Sequence, residues 1–192
     1  MLDLKLTLSC NMTLMNRTTL FWAVLLLTTA TGMSQGRSIG QEIDGWITRT
    51  EDQLVRAAEE MPADKYSFAP TNGEFRGVRN FARQLKHVAA ANFLFAAGIL
   101  REEPPADAAD ERGPDSVRTK EEVIKYLKES FAYLHKAASA IRPENVVEPI
   151  KSPFGDRTRL ALAIGAISHS YNHYGQIVEY LRMNGIIPPP SP

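Results

Sequence analysis

The chain has 192 residues with 22 basic and 22 acidic side chains, a formal net charge of zero, and an apolar fraction of 44%. That size and composition fit one globular domain with its own core. No basic block marks a nucleic-acid surface and no acidic tail marks a solvating arm, so partners belong in a pocket rather than in a long-range field.

At the N-terminus Arg17 precedes an apolar run, Leu20 to Leu27, and small residues follow from Thr28 to Gly32. That layout is a secretory signal peptide. The run falls short of the roughly 20 apolar residues that a transmembrane helix needs, so cleavage near Gly32 to Gln35 is expected, with no stable membrane span afterwards. A retained anchor is the alternative, and a start at Met12 or Met15 would make a more ordinary signal. The expected division is a signal segment over residues 1–34 and a domain over 35–192, exported to the periplasm or outside the cell. The one cysteine, Cys10, lies in the signal segment, so the mature chain would carry no thiol and no disulfide. This excludes a cysteine nucleophile and a thiolate metal ligand. Losing Asp3, Lys5 and Arg17 leaves 20 basic and 21 acidic side chains, and the charge argument stands.

Helical periodicity appears four times and strand alternation nowhere, which predicts an all-α domain. The first helix is expected from about Glu42 to Met61, with Ile43, Trp46, Ile47, Leu54, Val55 and Ala58 facing inward. Pro62 and the loop through Pro70, Asn72 and Gly73 end it. The second is expected from about Val78 to Leu100, where Phe81, Leu85, Val88, Phe95 and Ile99 form one stripe and His87 sits on its flank. A Pro-, Asp- and Gly-rich stretch from Arg101 to Ser116 reads as an exposed loop. The third, about Thr119 to Ile141, opens on Thr119 with Glu122 three residues on, a capping box. The fourth runs from about Asp156 or Arg157 to Asn184, stopped by Gly185 and the prolines beyond. Four helices with sizeable loops predict a four-helix bundle.

On the last helix Leu160, Ile164, Ile167, Tyr171, Tyr174, Val178 and Leu181 form one apolar stripe. His169 and His173 lie on another side with Leu162, Ala166, Gln176 and Tyr180, so burial on two sides is expected. Two readings of the pair are open. Each can be a half-buried structural histidine. Alternatively, residues at i and i+4 are neighbours on a helix, and two imidazoles there can converge on one divalent ion, with Gly165 and Ala166 leaving room. Ser170 stands where a zincin needs its glutamate, which excludes that protease class. His87 is the natural third ligand, because bundle sites are built from facing helices. His135 falls on the side of Glu121 and Lys128 and reads as a solvated surface residue. Three neutral imidazoles would leave an open position on Zn(II), Ni(II) or a similar ion for water or a substrate. Asn92, Gln84, Tyr171, Tyr180 and Gln176 are polar groups that could surround it.

The stretches "NFARQLKHVAAANFLF" and "PFGDRTRLALAIGAISHSYNHYGQIVEYLRMNGIIPPPS" resemble the DinB-like (DNA-damage-inducible) metal-binding four-helix bundles, over about Glu42 to Pro189. By position, the resemblance implies a metal triad of His87, His169 and His173. Members commonly carry Glu just before the last histidine, and Asn172 stands there instead, which puts any role for that carboxylate in doubt. The resemblance also implies a homodimer formed through helices, which would cover the Leu160 to Leu181 stripe. Relatives include thiol-dependent transferases and a thiol-dependent maleylpyruvate isomerase. The function expected is therefore a metal-dependent transferase or hydrolase that activates a thiol or water for a small-molecule substrate. The alternative is a non-catalytic metal-binding or structural bundle.

Overall fold

A computed structural model describes residues 36–108 and 111–190. The signal segment expected over residues 1–34 lies outside them, so its cleavage is an expectation from sequence alone. Four long helices carry the fold: α1 (Ile39–Glu60), α2 (Phe81–Leu100), α3 (Lys120–Ser139) and α4 (Arg159–Met183). Each begins where a polar side chain satisfies the orphan N–H groups of the first turn. Ser38 and Gln41 cap each other reciprocally and start α1 ahead of Glu42. Asn80 accepts from Arg83 N and delays α2 to Phe81, while Thr119 and Glu122 form the capping box read from the sequence. At the far end of α4, Gly185 adopts φ 73°, and the N–H groups of Gly185 and Ile186 return to the carbonyls of Arg182 and Leu181. That is the Schellman stop, and it needs a residue free to enter the left-handed region.

Both α1 and α2 pack against α3 and α4, so α1 and α2 occupy opposite corners of the bundle. This diagonal step requires a long connection between them. The connection folds back with a short 3₁₀ turn (Ala63–Lys65) and buries Tyr66, whose hydroxyl donates to Ala58 O at 2.7 Å. The central helix is α2, buried along nearly its whole length between its two neighbours. The core runs through Ile47, Leu54, Phe81, Leu85, Ile99, Leu127, Phe131, Leu134, Leu162 and Ile177. Residues from Arg37 onward form one compact unit. No helix among the described residues is long and apolar enough to cross a membrane.

Three expectations need correction. A two-stranded antiparallel hairpin, β1 (Pro149–Ser152) and β2 (Gly155–Thr158), precedes α4; no strand was expected there, and β2 takes the residues from Asp156 to Thr158 where the fourth helix was expected to begin, so that α4 starts at Arg159. Its strands are largely exposed and only Ile150 is buried, so no apolar alternation announces them. Trp46 is 50% exposed rather than inward-facing, with the Arg49 guanidinium 5.2 Å from its ring. On α4 the side bearing the histidines is the one turned into the bundle, through Leu162, Ala166, His173, Ile177 and Tyr180. The Leu160 to Leu181 stripe is buried at Leu181, but its other members are half-buried or, at Ile164, 56% exposed. Its spacing is helical, but the chain supplies α4 with neighbours on one side only.

Candidate metal centre

Packing of α2 against α4 sets His87 opposite His169 and His173. The two α4 histidines project together because they are one turn apart, and their ring centroids are 4.5 Å apart. The His87 ring centroid stands 4.9 Å from that of His169 and 4.7 Å from that of His173. His87 and His173 are buried, and His169 is half-buried. Each residue offers a nitrogen lying within 4.8 Å of those of the other two, and no carboxylate joins the cluster among the described residues. The resemblance-derived triad is thus the group of side chains the fold brings together.

The His87 ring is oriented from outside the helices. Its Nδ1–H donates to the backbone carbonyl of Glu111 at 2.7 Å, which leaves Nε2 with a lone pair directed at His169. The Nε2 atoms of His87 and His169 are 3.1 Å apart. Nitrogens bound to one tetrahedral ion at about 2.0–2.1 Å stand about 3.3 Å from each other, so the spacing fits a shared ion. The Nδ1 atoms of His169 and His173 are buried with no hydrogen-bond partner. Buried polar atoms are ordinarily satisfied, so no protein group fixes these two rings through Nδ1 as Glu111 fixes that of His87.

Burial lowers the pKa of all three rings. Desolvation is the main cause for each, bringing His169 down to about 4 and His173 to about 3; neighbouring imidazoles add to this, and the Arg79 charge lowers all three. Near neutral pH the rings are therefore uncharged, the form in which imidazole donates a lone pair to a metal. The donor set, three neutral nitrogens, suits zinc, nickel or a similar ion and leaves a coordination position open. These three close histidines could hold a metal ion.

The surrounding polar groups divide into two bridges. One turn beyond the triad, Gln84 Nε2 donates to Gln176 Oε1 at 2.7 Å and ties α2 to α4. On the other side Asn92, fully buried, donates to Ser130 Oγ and accepts from Ser170 Oγ, joining α2, α3 and α4. Tyr180 donates to the Arg79 carbonyl. Tyr171 is half-buried and Asn172 exposed. The room expected beside Gly165 is filled: the Phe95 ring lies 2.8 Å from where a Cβ would stand, and stacks on Phe154 of the hairpin turn.

His135 is not the solvated residue expected. It lies between two carboxylates of α1, with Nδ1 2.6 Å from Asp44 and Nε2 2.9 Å from Glu51, and its hydrogen bonds to them raise its pKa to about 9. It is a charged clasp between α3 and α1, remote from the triad in chemistry because its two nitrogens point in opposite directions. The Glu111 carbonyl escaped sequence reading altogether, since a backbone oxygen leaves no mark in the side-chain pattern.

The DinB superfamily model matches residues 47–177. Among solved structures, the chain is similar to a DinB-like protein from Bacillus cereus ATCC 10987, with 14% identity, 74% of this chain and 91% of that one covered, and a TM-score of 0.60. It is also similar to a conserved protein from Enterococcus faecalis, with 16% identity, 77% and 98% covered, and a TM-score of 0.62. No curated protein matches it. At these identities the two structures speak for the fold, and the family match spans more than half of the chain: the chain belongs to the DinB superfamily.

Proposed function

We propose that the chain is an exported metalloprotein in which His87, His169 and His173 hold one divalent ion, and that it acts as a metal-dependent transferase or hydrolase on a small molecule. The observation that carries this is the convergence of three imidazoles from two helices, kept neutral near neutral pH by burial. When bound, such an ion supplies Lewis acidity, which makes a thiol or water a competent nucleophile near neutral pH. The residues do the rest. Glu111 fixes the tautomer of His87, the glutamine bridge holds α2 and α4 at constant spacing, and the apolar flank of Phe95 keeps water from one side.

A second reading, a non-catalytic metal-binding bundle, is favoured by one observation: Asn172 offers no carboxylate to serve as a base, and none joins the triad among the described residues. Export rests on the Arg17 to Gly32 pattern, and a homodimer on the half-exposed α4 stripe. Metal analysis of the purified chain and of His87→Ala, His169→Ala and His173→Ala is the deciding experiment. About one ion per wild-type chain and a marked loss in each variant is expected; full occupancy in all three variants would sink the reading. A water or open coordination position facing a pocket then separates enzyme from structural site.

A further inference from the structure

A cavity of about 860 Å³ is lined by Arg79 just ahead of α2, by Arg83 and Lys86 from its first turns, and by Asp107, Arg112 and Asp115 from the connection before α3. The loop that forms its far wall is the one that orients His87. Glu111 accepts from His87, and Lys86, beside His87 in the chain, donates Nζ to the carbonyls of Pro114 and Val117 at 2.6 and 3.2 Å. Gly113, at φ 69°, sits so close to α2 that a Cβ there would stand 2.9 Å from Lys86 Cβ. Lys86 therefore fastens the loop and is spent on it.

Arg79 and Arg83 are differently placed. Neither guanidinium has a hydrogen-bonding or ion-pair partner among the described residues, and both line the cavity. Arg79 belongs to both places: its main chain is pinned by Tyr180, and its charge is felt by all three imidazoles. A guanidinium presents a planar fork that matches a carboxylate or phosphate, and a concave wall strengthens its field. We propose that this cavity binds the anionic group of the substrate, a carboxylate or phosphate, through Arg79 and Arg83, with the reacting end of the molecule lying toward the triad. Asp107 and Asp115 on the same lining disfavour a dense polyanion and limit the site to a small one. The assignment deepens the reading of the triad as a metal centre and rests on it for the word substrate.

Calorimetric titration of the full metal-loaded chain with inorganic phosphate and, separately, with succinate tests it. Saturable one-to-one binding of at least one anion is expected, and which one binds tells phosphate from carboxylate. Arg79→Gln/Arg83→Gln should weaken it by at least about tenfold, the scale of a charge-assisted hydrogen bond. Metal content should not change, and Arg157→Gln, an exposed change on β2, should leave binding as in wild type. Because Arg83 is exposed, Arg83→Gln alone serves if the double variant does not fold. Absence of binding by both anions, or unaltered affinity in the arginine variants, overturns the proposal. Anion binding that depends on the arginines in a wild-type chain that takes up no metal would keep the cavity and discard the metal reading.

Discussion

The Nε2 atoms of His87 and His169 stand 3.1 Å apart although the residues are 82 positions apart in the chain. Two ring nitrogens at that distance share either a proton or a cation. If they share a cation, ion binding stabilises the folded chain by mass action, by about 2.7 kcal/mol at a hundredfold excess over Kd. For a domain of this size that is a rise in Tm of roughly 5–10 °C. Thermal melts with and without added zinc should show this rise in wild type and little of it in His169→Ala. An equal zinc response in both would leave the pair sharing a proton only.

The clasp of His135 with Asp44 and Glu51 makes stability depend on alkaline pH. The folded pKa, about 9, lies above the ordinary histidine value, so the contribution is fully present below about pH 6.5 and is lost as pH rises through about 9. Above that range the neutral ring has one N–H for two carboxylates. Allowing for partial exposure of the acids, the clasp is worth roughly 1–2 kcal/mol. Denaturant melts of wild type and His135→Gln should differ by that amount at pH 6 and converge near pH 10. A difference that persists unchanged at pH 10 would assign the effect to packing.

Gly40 and Gly175 are both helical glycines, and alanine should act on them in opposite directions. A Cβ at Gly40 would stand 2.7 Å from Ala138 O and 3.0 Å from Ile141 O, backbone atoms that cannot step aside. Gly40→Ala should cost about 1–3 kcal/mol by forcing α1 away from the end of α3. Gly175 meets nothing within 4 Å. Gly175→Ala should stabilise by up to about 1 kcal/mol through the unfolded chain and helix propensity. Urea midpoints measure both.

Arg159, at the first turn of α4, is buried and ties three segments together. Nε donates to Ile99 O at 3.1 Å, and Nη1 donates to Asn145 O and, at 2.7 Å, to Glu148. Arg159→Met keeps the stem but removes the side-chain donor to Ile99 O and the closer partner of Glu148, while Asn145 O keeps the Glu148 N–H and Glu148 keeps Arg101; it should destabilise by about 1–3 kcal/mol. Unfolding monitored by far-UV circular dichroism reads the loss; a change under 0.5 kcal/mol, on the order of an ordinary surface substitution, would contradict it.

Much of the fold was legible locally. Apolar recurrence at helical spacing, Thr119 with Glu122, and Gly185 before the prolines act over a few residues, and the helices stand close to where they place them. The pairing of His169 with His173 is equally local, being one turn of one helix. Three things depended on the assembled chain. The hairpin is held by its turn and by Ile150 rather than by a repeating pattern. The inward face of α4 was chosen between two apolar sides by the positions of α1 and α2. His135 became a clasp because α1 brings two carboxylates to it. Spacing along a helix says which side chains share a face, and only packing says what that face meets. His87 joins the pair on α4 for that reason, and Glu111 orients it through a backbone atom that every residue possesses.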